Sequence, residues 1–367
     1  MEIYVKIVNN GSKVWIGHDL DIIREVASQW AFINTSFQKG YVLSFKVNGS
    51  EEQYDIQTDE YGNAIVVPSL KNLSSLKPGD CLNFTYLFHI DVLHPKQVVN
   101  LSKLSVENFK QITEELKPYV SPIGLWNWSL WKNFLKFKQI SSELSNSAST
   151  PLDVVLRTIK WFEENVKYSA QSIDPIPPDQ VLEQLKGDCD DQANLFVAFC
   201  RFNKIPAYTE IGAIYLPDYS DKAGDDILKY ELINVGYHAW ARVYLPLKEG
   251  GMWIPVDLTF FKGKGLKGHI EGAAILKSNC MLNVKVVDFD YIAVVRDIKS
   301  SFKKLGGFWY EKHIMKLSSI RTGEAALPLQ TALVVSAIIS LTSALTFLFA
   351  IKKIKQGIKR IHNAQPS

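Results

Sequence analysis

Two stretches that alternate strictly between apolar and polar side chains, separated by a turn-forming segment, most constrain the fold of this 367-residue chain. In residues 238–245 every second side chain is apolar, and the same alternation returns in residues 252–259. A period of two is typical of a β-strand with one buried face. Pro246–Gly251 is suited to the turn between them. The pattern therefore predicts a β-hairpin.

The hairpin places two chemically active side chains on the same face. If Leu245 pairs with Met252, Trp240 lies opposite Asp257. His238 and Asp257 then become diagonal neighbours, with Cα atoms about 7–8 Å apart. An imidazole and a carboxylate at this spacing can form a hydrogen bond that fixes the ring tautomer. Each also has an ordinary interpretation, since a lone histidine on a strand is usually structural and Asp257 could simply end the hairpin.

Cys189 stands in the sequence Gly-Asp-Cys-Asp-Asp at the predicted start of a helix. Asp188 is suited to the N-cap and Asp191 to the reciprocal position of a capping box, so Cys189 takes the first helical position. There the positive end of the helix macrodipole stabilises a thiolate, whereas the charges of Asp188, Asp190 and Asp191 oppose it. A nearby imidazolium would decide the balance. The alternative is a buried, unreactive cysteine.

A thiol, an imidazole and a carboxylate in this order are the parts of an activated cysteine nucleophile, so Cys189, His238 and Asp257 are candidate catalytic residues. The chain has four cysteines and no Cys-x-x-Cys pair, which argues against structural zinc. Acidic residues in 218–226 match no known calcium loop, and we expect neither a metal nor a cofactor. A Cys81–Cys280 disulfide stays open. The formal net charge of +3 is too small to indicate nucleic-acid binding.

Residues 329–351 form a run of 23 residues without a charge. As a helix this run would be about 34 Å long, enough to cross a hydrocarbon core of about 30 Å, and a buried core helix rarely has so long an apolar stretch. We therefore predict one C-terminal transmembrane helix, followed by the basic tail 352–367 and in contact with the lipid bilayer. The positive charges after the span outnumber those just before it, which favours a cytoplasmic tail and an extracytoplasmic soluble part.

Asparagine usage agrees with this orientation. Seven of the eleven asparagines up to Asn133 stand in Asn-x-Ser/Thr sequons, which predicts a glycoprotein. These asparagines are Asn10, Asn34, Asn48, Asn72, Asn83, Asn100 and Asn127. No signal peptide with a basic start and an apolar core begins at Met1. A tail-anchored protein with its body in the cytoplasm is therefore the competing interpretation.

The rest of the chain divides by composition. Residues 1–104 contain short alternating runs separated by turn signals, which predicts an antiparallel β-sandwich. Residues 105–150 have helical spacing and three crowded tryptophans, and predict a helical linker that packs the sandwich against the next domain. We predict an α+β core over 151–300, with its last strands near 284–289 and 291–295, and a juxtamembrane segment over 301–328.

Four segments in order resemble the transglutaminase-like superfamily. They are Trp161–Tyr168, Gly187–Ala207, Tyr237–Tyr244 and Trp253–Asp257. The resemblance implies a papain-like α+β core in which Cys189 is the nucleophile, His238 the general base and Asp257 its orienting acid. It also implies a sandwich domain ahead of that core. Asp190 and Asp191 replace the aromatic or small residue that commonly follows the cysteine, which leaves the substrate class open.

The expected function is that of a membrane-anchored thiol enzyme acting on amide bonds of proteins or peptides through an acyl-enzyme on Cys189. On family grounds we favour hydrolysis, as in cysteine peptidases, over transamidation. The alternative is a non-catalytic surface binding or scaffold protein with the same fold. The complete set of Cys189, His238 and Asp257 favours the enzyme.

Overall fold

The structure, a computed structural model, describes residues 1–93, 99–109, 111–170, 174–277 and 280–318. Within these ranges, no helix has the length and apolar character that crossing a membrane requires. The predicted span 329–351 and the basic tail lie outside the described residues, so the membrane anchor stays a prediction.

The first part of the chain is β-rich, as predicted, and contains one helix. The helix is α1 (His18–Ala27). The strands are β1 (Glu2–Asn9), β2 (Trp15–Ile16), β3 (Gln29–Trp30), β4 (Gln38–Val47), β5 (Ser50–Glu51), β6 (Tyr54–Thr58), β7 (Ala64–Pro68), β8 (Ser75–Leu76) and β9 (Cys81–Val92).

The second part mixes helices and strands. The helices are α2 (Phe134–Ser145), α3 (Pro151–Asn165), α4 (Pro178–Gln184), α5 (Cys189–Phe202), α6 (Ala273–Lys277) and α7 (Tyr291–Leu305). The strands are β10 (Lys167–Tyr168), β11 (Lys186–Gly187), β12 (Ala207–Gly224), β13 (Leu228–Pro246), β14 (Gly251–Val256), β15 (Cys280–Val286) and β16 (Gly307–Ile314). A π-helical turn, Gly268–Gly272, precedes α6.

One nine-stranded sheet joins the two parts. Its order is β15-β12-β13-β16-β1-β9-β4-β5, with β14 paired to β13. All pairs are antiparallel except β13 with β16. The prediction of a separate sandwich ahead of the core is therefore wrong, because β1 pairs with β16 near the end of the described chain. The domain boundaries at 104, 150 and 300 stay predictions.

Two local predictions also fail, and the predicted linker packs against α5. Residues 291–295 begin helix α7 instead of a strand, because Asp290 accepts the backbone N–H of Ala293 as an N-cap. The predicted juxtamembrane segment contributes strand β16. In the predicted linker, Trp126 is fully buried and donates its indole N–H to the carbonyl oxygen of Asn194 in α5, so it packs within the core.

Helix α5 is the centre of the core. Every residue from Cys189 to Arg201 is buried, which is typical of a helix covered on all sides. Its sequence holds apolar residues around most of its circumference, so no face is left for solvent. Helices α2, α3 and α4 and strands β12 and β13 surround it. This packing fixes the position of the residue with which α5 begins.

Candidate active site

Helix α5 begins at Cys189, as predicted. The Asp191 carboxylate accepts the backbone N–H of Asp188 at 3.2 Å, which is the reciprocal half of the predicted capping box. A Cβ on Gly187 would lie 2.6 Å from the Asp191 Cβ, so only glycine fits before the cap. The Cys189 side chain is 5% exposed. The local motif therefore holds the thiol at a buried helix N-terminus.

The aspartates around Cys189 are buried as well. Burial, followed by the charge of Asp190 and Asp191, raises the pKa of Asp188 well above its ordinary value. Burial and the charge of Asp190 do the same to the pKa of Asp191. The Asp190 carboxylate accepts a hydrogen bond from the Tyr291 hydroxyl at 2.5 Å. A protonated carboxyl group does not oppose a thiolate, so the raised pKa values of Asp188 and Asp191 weaken their opposition to a thiolate on Cys189.

Two hydrogen bonds define how α5 runs along the sheet. The Thr209 hydroxyl donates to the Asn194 side chain at 2.8 Å, and the Arg201 Nε donates to the carbonyl oxygen of Ala207 at 2.8 Å. Cys189 precedes Asn194 by about 7.5 Å of helix, or about two residues along β12. The helix start therefore lies at the level of Ile211, which pairs with Ala239, the residue after His238.

The hairpin has the predicted register, with Leu245 paired to Met252. It brings His238 and Asp257 into direct contact, at 2.6 Å between the ring Nε2 and the carboxylate Oδ2. Both side chains are buried, each with 1% exposed. The structure thus joins two of the three candidate residues by a hydrogen bond, and α5 carries the third.

The Asp257 carboxylate is held ionised by its neighbours. Its Oδ1 accepts the backbone N–H groups of Thr259 and Phe260, both at 3.0 Å. Burial alone would raise its pKa, but His238 and these backbone donors outweigh it, and the pKa of Asp257 is below its ordinary value. The Asp-x-Thr turn after the strand is a sequence signal for this arrangement.

The bond to an ionised acceptor determines the tautomer of His238. Because Asp257 accepts, Nε2 of His238 carries the proton and donates it. The other ring nitrogen, Nδ1, is buried and has no hydrogen-bond partner among the described residues. This atom is therefore left with a lone pair, as a base requires.

His238 also lies at an interruption of the sheet. On one edge of β13, residues 228–233 pair with β16 and residues 241–246 pair with β14. Between them, residues 234–240 have no strand on that edge in the described part of the chain. Asp257 follows the end of β14 beside this interval. A side chain here can be approached from the strand edge as well as from the sheet face.

A buried charge network that the sequence analysis missed lies next to His238. The Trp240 ring is 5.9 Å from the His238 ring, and its indole N–H donates to Glu210 at 2.7 Å. Burial would raise the pKa of Glu210, but Lys277 and Arg242 lower it to about 2. Burial in turn lowers the pKa of Lys277 to about 8. No local sequence signal joins Glu210 to Lys277, because they come from separate elements.

Tyr168 completes the surroundings of the cysteine. Strand β10 pairs with β11, which places Tyr168 beside Gly187. Burial, followed by the charge of Cys189 and Asp188, raises the pKa of the Tyr168 hydroxyl. The neutral phenol therefore lines the helix start next to the thiol.

One family model matches part of this chain. Residues 138–258 match the family model described as the transglutaminase-like superfamily, so the chain carries a transglutaminase-like domain. The chain is similar to a proposed cysteine protease of Cytophaga hutchinsonii, with 15% identity, a TM-score of 0.45, and 78% of this chain and 81% of that chain covered. It is also similar to the periplasmic domain of TgpA from Pseudomonas aeruginosa, with 12% identity, a TM-score of 0.29, and 73% and 92% covered. Among curated proteins, none matches this chain.

Proposed function

We propose that this protein is a thiol enzyme that attacks amide carbonyl groups of proteins or peptides through Cys189. His238 acts as the general base, and Asp257 orients it. The observation that supports this most is the state of His238, whose Nε2 is fixed by Asp257 at 2.6 Å while the buried Nδ1 has no described partner. A ring held in this way presents one lone pair in one direction, as a general base does.

Each catalytic step uses these groups in turn. The Cys189 thiol gives its proton to Nδ1 of His238, and the sulfur forms a bond to the substrate carbonyl carbon. The C–N bond then breaks, and the leaving amine takes the proton from His238. A thioester on Cys189 remains. Water cleaves it to a carboxylic acid and the free thiol, whereas an amine nucleophile would give a new amide.

The proposal requires the sulfur to reach His238 at the interruption of the sheet over 234–240. The level of the α5 N-terminus along β12 and β13 supports this approach. The buried surroundings also support it, since excluding water strengthens the imidazolium–thiolate attraction. The low pKa of Asp257 keeps a negative charge available to stabilise the imidazolium.

We favour hydrolysis over transamidation, and the experiment separates the two. The full chain in detergent micelles is incubated with dimethylcasein, with and without the amine probe dansylcadaverine. Hydrolysis gives new peptide termini or deamidated glutamine by mass spectrometry, and transamidation gives probe-labelled glutamine. We expect a loss of at least about 10³-fold in Cys189→Ala and near wild-type activity in Cys200→Ala, whose thiol is fully buried.

The scaffold alternative predicts a different outcome. If neither product forms and iodoacetamide labels Cys189 no faster than Cys200, the chain uses the fold only for binding. Full activity in Cys189→Ala would also reject the thiol mechanism. Either result leaves the fold unchanged, so circular dichroism of both variants is the control.

The membrane anchor and the outward orientation are part of the proposal. Five sequon asparagines, namely Asn10, Asn34, Asn48, Asn72 and Asn83, are exposed, as a glycosylated outer surface requires. Trypsin treatment of intact cells tests the orientation. Digestion of the soluble part supports an extracytoplasmic site, and protection of it until the membrane is opened would favour the tail-anchored arrangement.

A further inference from the structure

His269 is a fully buried histidine in a segment rich in glycine and lysine. It lies in the π-helical turn Gly268–Gly272, directly before α6. Its neighbours come from two distant segments, α3 and the turn that follows β14. Buried polar atoms are nearly always hydrogen-bonded, so both ring nitrogens of a buried imidazole are expected to have partners.

Both ring nitrogens of His269 face oxygen acceptors. Nδ1 lies 2.6 Å from the backbone carbonyl oxygen of Asp257, and Nε2 lies 2.8 Å from Oε1 of Glu163. A carbonyl oxygen only accepts. The hydrogen bond from His269 is the largest cause of a lowered pKa of Glu163, so this group is an ionised carboxylate and also accepts. Two acceptors require two N–H donors, which is the imidazolium form.

The ring nitrogens of His238 have a different set of acceptors. Its Nε2 faces one acceptor, Asp257, and its Nδ1 faces none among the described residues. The two histidines thus differ in their number of acceptors. Nδ1 of His238 is free to take up a proton, whereas His269 already needs a proton on each of its two ring nitrogens.

His269 forms hydrogen bonds with both main-chain polar groups of Asp257. Its Nδ1 reaches the Asp257 carbonyl, and the Asp257 backbone N–H donates to the His269 carbonyl at 2.9 Å. Both main-chain polar groups of Asp257 are thereby directed to one residue. The side chain of Asp257 remains for His238, Thr259 and Phe260.

We propose that His269 is a positioning residue, an imidazolium that is held by Glu163 and clamps the Asp257 backbone so that its carboxylate meets His238. This inference rests on the proposed function, because the position of Asp257 matters for catalysis only if His238 is the base. The charge of Lys262 also lowers the pKa of Glu163. Glu163 therefore compensates the buried cation.

The first test does not depend on activity. ¹⁵N NMR of the full chain in detergent micelles, labelled at histidine, is recorded at about pH 7.5, where an ordinary histidine is mostly neutral. We expect protons on both nitrogens of His269. The signals are assigned by their loss in His269→Gln and His238→Gln. A neutral His269 would overturn the proposal.

The second test separates the clamp from the charge. In Glu163→Gln the new amide can donate to Nε2, so His269 should become neutral while its bond to Asp257 persists. In His269→Gln the clamp is weakened, and kcat should fall about 100-fold with KM nearly unchanged, as a small displacement of a catalytic group does. His89→Gln is the matched control, since His89 is exposed on β9 and should leave kcat unchanged.

The outcomes distinguish this inference from the proposed function. Wild-type kcat in His269→Gln rejects the clamp even if Cys189→Ala is inactive. If Cys189→Ala is fully active the catalytic proposal fails, and the NMR measurement still decides the protonation of His269. Should His269→Gln not fold, the wild-type spectrum and Glu163→Gln keep both parts testable.

Discussion

Helices α3 and α5 begin with the same capping motif, but the pKa values of their capping carboxyl groups are shifted in opposite directions. At α3 the half-buried Asp153 accepts a hydrogen bond from the backbone N–H of Thr150 at 2.8 Å. Partial burial acts to raise its pKa, but hydrogen bonds from Thr150 and Ser149 outweigh this and lower it. At α5, Asp191 makes the same kind of bond, yet burial and Asp190 raise its pKa well above the ordinary value. The motif determines the geometry and burial determines the charge.

This difference matters because α5 carries the candidate nucleophile. Three ionised aspartates in the first turn would oppose a thiolate on Cys189. Raised pKa values of Asp188 and Asp191 favour their protonated forms, which removes part of that opposition. The acid that the mechanism needs ionised, Asp257, has its pKa lowered instead. Acids on the two sides of the site are therefore adjusted in opposite directions.

Of the variants at these two caps, Asp191→Ala is expected to lose the most stability and activity. Asp191 accepts the N–H groups of Asp188 and Ile176, the latter at 2.9 Å. Each buried donor left unsatisfied costs about 1–3 kcal/mol. Displacement of the first turn should also lower kcat/KM about 100-fold. Urea denaturation and steady-state kinetics measure both.

Asp153→Ala at α3 is the matched control for this variant. It should cost about 1 kcal/mol and leave kcat/KM unchanged. Equal losses of stability and of activity in the two variants would show that the degree of burial of the capping aspartate makes no difference to its role.

A smaller effect is expected from Asp188→Asn, and it depends on pH. Because the pKa of Asp188 is raised in the folded state, the native protein binds its proton more tightly than the unfolded chain does. Its contribution to the free energy of unfolding therefore falls as pH rises above about 4. The variant should gain a few degrees in Tm over wild type at about pH 8, and less at about pH 5. Calorimetry at both values tests this, and a pH-independent difference in Tm contradicts it.

The smallest effect is expected from Asp153→Asn, with the opposite sign. The pKa of Asp153 is lowered on folding, so its contribution to stability is present above the unfolded pKa and is lost as pH falls through the folded value. The group is half-buried and water still screens its charge, so the effect should be below about 1 kcal/mol. Urea denaturation at about pH 3 and pH 7 should show a loss in the variant only at the higher pH. A loss of the same size at both pH values would contradict it.

Local patterns in the sequence predicted what depends on neighbours in the chain. Strict alternation gave the hairpin and its register, and the residues around Cys189 gave the start of α5. The family resemblance agrees with the match over 138–258. The catalytic roles of Cys189, His238 and Asp257 remain proposals.

Contacts between distant segments could not be predicted in this way. The pairing of β1 with β16 joins the two ends of the described chain and has no local signal. His269 meets Glu163 across 106 residues, and in the sequence it is one histidine in a loop rich in glycine. At α7, a short β-branched run predicted a strand. The buried stripe of Tyr291, Val295, Ile298 and Phe302, together with the Asp290 cap, gives a helix instead.

The rate at which iodoacetamide alkylates Cys189 tests the central claim most directly. The rate is measured at about pH 6, where an unassisted thiol is almost fully protonated. Peptide mass spectrometry follows Cys189 and Cys200 in the wild type and in His238→Ala. Our account predicts that Cys189 reacts much faster than Cys200 in the wild type and loses this advantage in His238→Ala. Equal reactivity of Cys189 in the two proteins would contradict it.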